Sequence, residues 1–445
     1  MTHHSISAAE SQDPGVHRVL AEAKRAQGDE LGALAHLIAA QTLDAYLATP
    51  QTFSATELCN VATGYFMKGD HEVALRWYGL VLAIDSNQAS AYQNLAAIHS
   101  AAGRIAEAEA CRERAYRIQR VYVEPAGDQA MRVLILCVGR SSGNVPFDTL
   151  LPAGTSTRIK YAIDYAAEDE DKQLPPYDLV FNAIGDADIA APLAARLERF
   201  ANQCGRPLLN APSTVARTQR HQLSTLIGDL EDVAVVPCIR SERQPVSSAA
   251  LAESLAASGI GLPVLARPAA THGGEALGHY ETLEALEQGI RAFSGAHYIT
   301  TFCDFRSADG YYRKYRIIFV DREPFPYHLA ISSSWMVHYF SADMEGTPWK
   351  LDEERRFLED PRAALGARAM AAVIAIGQRL GLEYGGIDFT LRPDGKVFVF
   401  EANATMLVHR ERENGVLAYK NRYVQRIVEG FGAMLEGSKG GVGRF

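Results

Sequence analysis

Two acids and an amide late in the chain have the types and spacing of a hard-cation site: Asp388, Glu401 and Asn403. Asp388 follows Gly385-Gly386-Ile387, and Glu401-Ala402-Asn403 ends the apolar run Val397-Phe398-Val399-Phe400. Between them, Pro393-Asp394-Gly395 has the composition of a turn, so strands over 385–391 and 396–401 are expected to fold back as a hairpin. A hairpin brings Asp388 close to Glu401 and Asn403, and alternation along a strand turns residues 401 and 403 to one face. Two carboxylates and an amide oxygen suit magnesium, which keeps several waters and also binds phosphates. The plainer alternative, solvated residues at a sheet edge, sits poorly with acids that end a wholly apolar strand.

Such residues need a scaffold, and the chain is long enough to supply one. Its 445 residues, 47% hydrophobic and 22% charged, imply several domains with real cores. The net charge of −9 argues against a general nucleic-acid binder. No apolar run reaches the roughly 20 residues of a membrane helix, and Met1 to Glu10 lacks a signal-peptide pattern. Cys59, Cys111, Cys137, Cys204, Cys238 and Cys303 are scattered with no CxxC pair, which fits a reducing cytoplasm and no structural zinc.

The fold class expected is multidomain. Residues 1–125 are Ala-rich and read as an all-α helical repeat array. Laid out with a period of 34 residues, Ala62 falls on Ala96 and Ala74 on Ala108, with Gly69-Asp70 and Gly103-Arg104 marking turns. Over about 14–122 the pattern resembles the tetratricopeptide repeat, without its frequent Trp and closing Pro. Glu124 to Asp128 reads as a linker. Apolar runs at 132–138, 178–184 and 206–210, with a helix over 189–203, indicate an α/β domain over 131–212. From 213 the pattern is α+β. It has helices over 213–228, 361–380 and 419–436, and strands near 233–239, 263–267, 297–303, 311–320 and 324–331. The glycine-rich tail from Gly437 is expected to be mobile.

Gly385-Gly386-Ile387-Asp388-Phe389, the Asp-Gly turn and Phe400-Glu401-Ala402-Asn403-Ala404-Thr405 together resemble the C-terminal signature of ATP-grasp enzymes. The resemblance covers about 131–436. It implies an α/β pre-ATP-grasp (substrate) domain over 131–212 and an α+β ATP-grasp domain over 213–436. The lid would lie over about 213–300 and the metal-binding part over about 301–436. It further implies ATP and Mg2+ as cofactors. Arg267 stands where the family has a Lys before Pro268, and Thr271-His272-Gly273-Gly274 would be the loop whose backbone amides approach the phosphates. An Arg keeps the charge there but adds a planar fork. Arg220, with Arg217 its nearest rival, takes the place of a second phosphate cation. Thr301-Phe302-Cys303-Asp304 looks like the hinge that cradles adenine; an acid is common at Thr301, so Asp304 is expected to hold the ribose instead. Arg316 is expected at the transferred phosphate, with Lys314 supporting from the same strand face. The plainer readings are a surface hairpin, a solvated helix face and a basic edge strand.

Two segments that follow strands, Ile331 to His338 and Thr405 to Arg410, would lie near the reaction centre. His338, His409 and Arg410 are candidates for binding a substrate carboxylate or taking a proton from an amine, although a single His is more often structural. The resemblance implies a ligase that activates a carboxylate as an acyl phosphate and joins it to an amine, releasing ADP and phosphate. The repeats would hold a peptide or protein substrate, or else mediate homodimerisation. The rival classes are a small-molecule kinase on the same fold and a nucleotide-binding scaffold without catalysis. Neither nucleic acid nor membrane is expected as a partner.

Overall fold

The computed structural model describes residues 12–48, 55–139, 142–242, 247–271 and 273–439. The chain forms two compact units, Met1–Val121 and Tyr122–Phe445. In the first, α1 (Pro14–Ala26) packs on α2 (Glu30–Ala48), α3 (Thr56–Met67) on α4 (His71–Ile84), and α5 (Ala89–Ala101) on α6 (Ile105–Ile118). Small side chains allow this closeness: Ala35, Ala39, Ala62, Ala74 and Ala91 are buried with Leu58, Tyr78 and Leu95 between them. Tyr78 keeps its hydroxyl satisfied at 3.0 Å from Thr63 and 2.6 Å from Asn94. Gly69 and Gly103 turn the chain between paired helices at φ +82° and +72°, a conformation that favours glycine. Contrary to the sequence expectation, α2 has the length and apolar composition of a membrane span, yet its Ala33, Ala35, Ala39, Ala40 and Leu43 are buried within this unit.

The second unit opens with β1 (Val121–Glu124), so the residue expected to start a linker ends a strand instead. Glu124 is fixed there by Arg158 and by Lys160 at 2.5 Å. β2 (Arg132–Cys137), β3 (Thr157–Ala162), β4 (Leu179–Asn182), α7 (Ala187–Ala190), α8 (Ala194–Gln203) and β5 (Leu208–Leu209) complete an α/β layer of order β1-β3-β2-β4-β5. β2 lies parallel to β3 and β4, and β4 to β5. Val133 to Leu136 and Leu179 to Phe181 are fully buried, as continuous apolar runs in parallel strands require. β3 escaped the sequence reading because Arg158 and Lys160 interrupt it.

The helix expected over 213–228 is two short ones, α9 (Pro212–Ala216) and α10 (Leu223–Ile227), with a single 3-10 turn at Arg220–Gln222 between them. The strand expected over 233–239 also divides. β6 (Val233–Ala234) and β7 (Cys238–Ser241) join different sheets. After α11 (Ser248–Ala257) come β8 (Val264–Pro268), β9 (Gly278–Tyr280), α12 (Leu283–Arg291) and β10 (His297–Thr301). β7, β10, β8 and β9 form an antiparallel four-stranded sheet, with Leu251, Leu255, Leu286 and Ile290 of the two helices covering Val264, Ala266 and Ile299.

The last sheet is built from β11 (Tyr312–Val320), β12 (Glu323–Ser332), β13 (Tyr384–Leu391) and β14 (Val397–Asn403), in the order β12-β11-β13-β14-β6. Between β12 and β13 run α13 (Pro348–Glu359), α14 (Pro361–Leu365) and α15 (Ala367–Leu380). The long helix expected over 361–380 is broken at Gly366, whose φ is +86°. The final helix, α16 (Asn421–Lys439), sets its Phe431 edge-on to Phe181 at 5.3 Å and to Tyr384 at 5.8 Å. It thereby ties the α/β layer to the last sheet through one apolar core. Gly437 lies in this helix rather than in a tail; residues 440–445 fall outside the described residues.

Candidate active site

Strand register assembles the charged centre. Asp388 lies opposite Glu401 across β13 and β14, and opposite Arg316 across β13 and β11. A bulge follows Asp388 in the first pairing. Asp388 is 1% exposed. Its Oδ1 accepts from Arg316 Nε at 2.6 Å and its Oδ2 from Arg316 Nη2 at 2.8 Å, a two-pronged geometry that a guanidinium makes well. Lys314 Nζ stands 3.2 Å from the same Oδ2, so the expected alternation does put residues 314 and 316 on one face. Burial alone would raise the Asp388 carboxyl; the charges of Arg316 and Lys314 outweigh it and hold the group well below the usual carboxylate range. Glu401 pairs with the Arg220 guanidinium. Burial pushes Glu401 up, Arg220 pulls it below its ordinary value, and the negative charge of Asp388 opposes that pull.

Two ionised carboxylates that feel one another's charge are a donor set fitted to a divalent cation, and Asp388 and Glu401 would hold it. Asn403 is engaged as well: its Oδ1 accepts from Thr405 N at 2.9 Å and Thr405 Oγ1 at 3.1 Å, steadying the turn after β14. Among the described residues no group of three or more His, Cys, Asp or Glu side chains forms a metal cluster.

These residues line a cavity of about 520 Å³ bounded by the four-stranded sheet, by the last sheet and by the Gly143-Asn144 loop. One group of lining residues is apolar, including Val235, Leu265, Phe302, Phe305, Phe398 and Phe400. A second is cationic: Arg220, Arg267, Lys314 and Arg316. A third is polar and aromatic, including Tyr327, His328, His338, Tyr339, His409 and Lys420.

Arg267 is 8% exposed and donates from Nε and Nη2 to Thr271 Oγ1 at 3.1 and 3.0 Å. Burial, then the neighbouring charge of Arg220, pushes it down to about 10. A buried guanidinium crowded by another cation is short of negative charge. Gly273 and Gly274 lie at φ +60° and +82°. A Cβ on Gly273 would be 3.5 Å from His338 Nε2, and one on Gly274 3.5 Å from Met336 Sδ, so this loop rides directly on the segment after β12. His272, between Thr271 and Gly273, lies outside the described residues.

The remaining expected residues divide. Thr301, Phe302 and Cys303 line the cavity. Asp304 does not: it is exposed and accepts from Arg306 N at 3.0 Å, closing its own turn. Its carboxylate is therefore engaged in its own turn and not in the cavity lining, contrary to the expectation that it holds the ribose. His338 and His409 line the cavity, and His409 Nδ1 sits 2.9 Å from Tyr327 Oη. Arg410 is exposed and hydrogen-bonded to Gln425 on α16, away from the cavity lining. Arg217 likewise turns outward, donating to Arg379 O at 3.3 Å.

No family model matches the chain, and no curated protein matches it. Among solved structures it is similar to a D-alanine–D-alanine ligase from Bacillus anthracis complexed with ATP, at 12% identity and a TM-score of 0.43, covering 70% of this chain and 99% of that one. It is also similar to D-cycloserine synthetase DcsG, at 17% identity and a TM-score of 0.41 over 67% of this chain and 99% of that one. A RimK domain ATP-grasp protein from Sphaerobacter thermophilus DSM 20745 gives 17% identity and a TM-score of 0.41, over 67% of this chain and 98% of that one.

Sequence reasoning missed several residues. Asp188, on α7, accepts from Tyr298 Oη at 2.6 Å and from Ala270 N at 3.2 Å, and stands 3.5 Å from Arg240 Nε. It ties the phosphate-loop candidate and two strands of the four-stranded sheet to the α/β layer. The Gly185-Asp186-Ala187-Asp188 run after β4 was the available signal, since such loops carry sites in parallel sheets. His328 and Lys420 had none: one is a His inside an apolar strand, the other a Lys at the start of a helix.

Proposed function

We propose that the chain is an ATP- and magnesium-dependent ligase of the ATP-grasp type, which activates a carboxylate as an acyl phosphate and passes it to an amine. The observation that carries this reading is the charge balance of the cavity. Arg220, Arg267, Lys314 and Arg316 face the two carboxylates Asp388 and Glu401, beside an apolar wall suited to a nucleobase. The surplus positive charge lies where phosphates would enter.

When bound, magnesium supplies neutralisation and orientation of the phosphates. The chain's own residues do the rest. Arg267 and the loop amides hold phosphate oxygens. Arg316 and Lys314 stabilise charge on the transferred phosphoryl group. The carboxylate oxygen forms a bond to the terminal phosphorus as the bond to ADP breaks. The amine nitrogen then attacks the acyl carbon, phosphate leaves, and the amine proton needs an acceptor. His338 is suited to accept it, because burial, then the charges of Lys314 and Arg316, depress its pKa and leave the imidazole neutral. For the first unit, the helix pairs are read as tetratricopeptide-like repeats that hold a peptide or protein substrate. The free cysteines suit the cytoplasm as its location.

The test is ADP release from full-length protein with paired carboxylates and amines, and mass spectrometry of the product. An amide formed only when both partners are present supports ligation. A phosphorylated product without any amine establishes a kinase instead. Tight Mg-ATP binding with no turnover establishes a scaffold.

A further inference from the structure

Lys420 occupies the 3-10 turn Ala418–Lys420 just before α16 and is 2% exposed, yet it lines the cavity. Its Nζ is 3.9 Å from the centroid of the Tyr339 ring. The nearest carboxylate oxygens are Glu411 Oε1 at 3.5 Å and Glu354 Oε1 at 3.7 Å, both too far for a good hydrogen bond. Glu354 already accepts three hydrogen bonds, from Leu329 N at 3.1 Å, from Tyr339 Oη at 2.8 Å and from Tyr419. Glu411 is shared with His409 Nε2 at 3.4 Å. A buried ammonium therefore meets the cavity held only by long ion pairs to Glu411 and Glu354 and by the Tyr339 ring.

His328 stands beside it, stacked on the same Tyr339 ring at 5.0 Å. It is 7% exposed, lines the cavity, and its Nε2 is buried without a hydrogen-bond partner. Among the described residues of the polar and aromatic part of the lining, Lys420 is the one side chain with a full charge, and no carboxylate lines that part. Lys314 and Arg316 are spoken for by Asp388 and the phosphoryl group; Lys420 makes no ion pair with Asp388.

We propose that Lys420 and His328 form a second anion subsite, which takes a carboxylate that is not consumed in the reaction. The proposal rests on the ligase reading, since the reacting carboxylate is then the one served by Lys314 and Arg316. The retained carboxylate belongs either to the acid component, which is then a dicarboxylate, or to the amine component.

Calorimetry on the full chain distinguishes the sources with two probe pairs, succinate against butyrate and alanine against ethylamine. The wild type should favour the member carrying the extra carboxylate in one pair, and that pair names the source. Lys420→Met should weaken that member about 10- to 100-fold and leave its partner unchanged, as expected for a lost charged hydrogen bond. Lys420→Arg should restore most of the affinity. His328→Leu leaves the counter-ion of Glu354 and Glu411 in place and should weaken the same member less, about threefold to tenfold. It decides the question if the Met variant fails to fold. Equal binding of both members in both pairs, or variants that bind as the wild type does, overturns the proposal. Binding is read without turnover, so a wild type that favours succinate but forms no amide sinks the ligase reading alone.

Discussion

Asp388 and Asp304 are both acids expected in one nucleotide site, and the structure treats them oppositely. Asp388 is buried in the middle of a ladder, opposite Glu401 on one side and Arg316 on the other. Asp304 follows the end of β10 and spends its carboxylate on Arg306 in its own turn. A residue held by strand register has its neighbours set by counting along the chain, because a shift of one residue would turn a buried face outward. A residue past a strand end answers first to local hydrogen bonding, which competes for Asp side chains.

The largest effect should come from breaking the ladder pair. Arg316→Met leaves Asp388 buried with only Lys314 near it. It should lower kcat about 10²- to 10³-fold, measured by ADP release, and reduce stability by about 3–5 kcal/mol in chemical unfolding. Adding Asp388→Asn should recover much of the stability and none of the activity, because the uncompensated charge is then gone. The pH dependence has a definite sign. The folded-state pKa of Asp388 lies below its ordinary 3.8, so its stabilisation is full above that pH and is lost as the pH falls below it. Asp388→Asn should flatten that acid limb. An Arg316→Met protein as stable as the wild type would mean that register does not fix this pair.

The same distinction explains what was legible in the sequence. β2, β4, β8, β10 to β12 and the hairpin were readable as apolar or alternating runs, and alternation put Lys314 and Arg316 on one face. The helix expected over 213–228 breaks around Arg220, yet Arg220 still reaches Glu401, because a turn can present a long cation as well as a helix can. β3 was hidden because its buried Arg158 is compensated by Asp148 and Glu124, partners that only the folded chain brings near. Lys420 was illegible for a similar reason. Its surroundings come from β12, α13 and the segment after β14, and no local pattern joins them.

Arg267 stands between the two cases, placed by β8 but working through a loop. Arg267→Lys keeps the charge and loses the fork that grips Thr271. The expected outcome is a rise in the KM for ATP of about tenfold, with kcat nearly unchanged. An equal fall in kcat and in kcat/KM would instead place Arg267 at the transferred phosphoryl group, beside Arg316.

The smallest effect should come from Asp304→Ala. The side chain is exposed, its backbone partner Arg306 N can turn to water, and its 3.5 Å pairing with Arg306 is a surface ion pair. Such pairs contribute about 0–1 kcal/mol. The KM for ATP should therefore move less than about threefold, within that range. A rise of tenfold or more would mean that the turn opens when nucleotide binds and that Asp304 then leaves Arg306 for the ribose. Asp304→Asn separates the two outcomes further. An amide oxygen still accepts from Arg306 N and keeps the turn, but it is a weaker acceptor for two ribose hydroxyls. A variant with wild-type stability and a raised KM would move Asp304 into the site and show that a loop acid can be recruited where register does not place one.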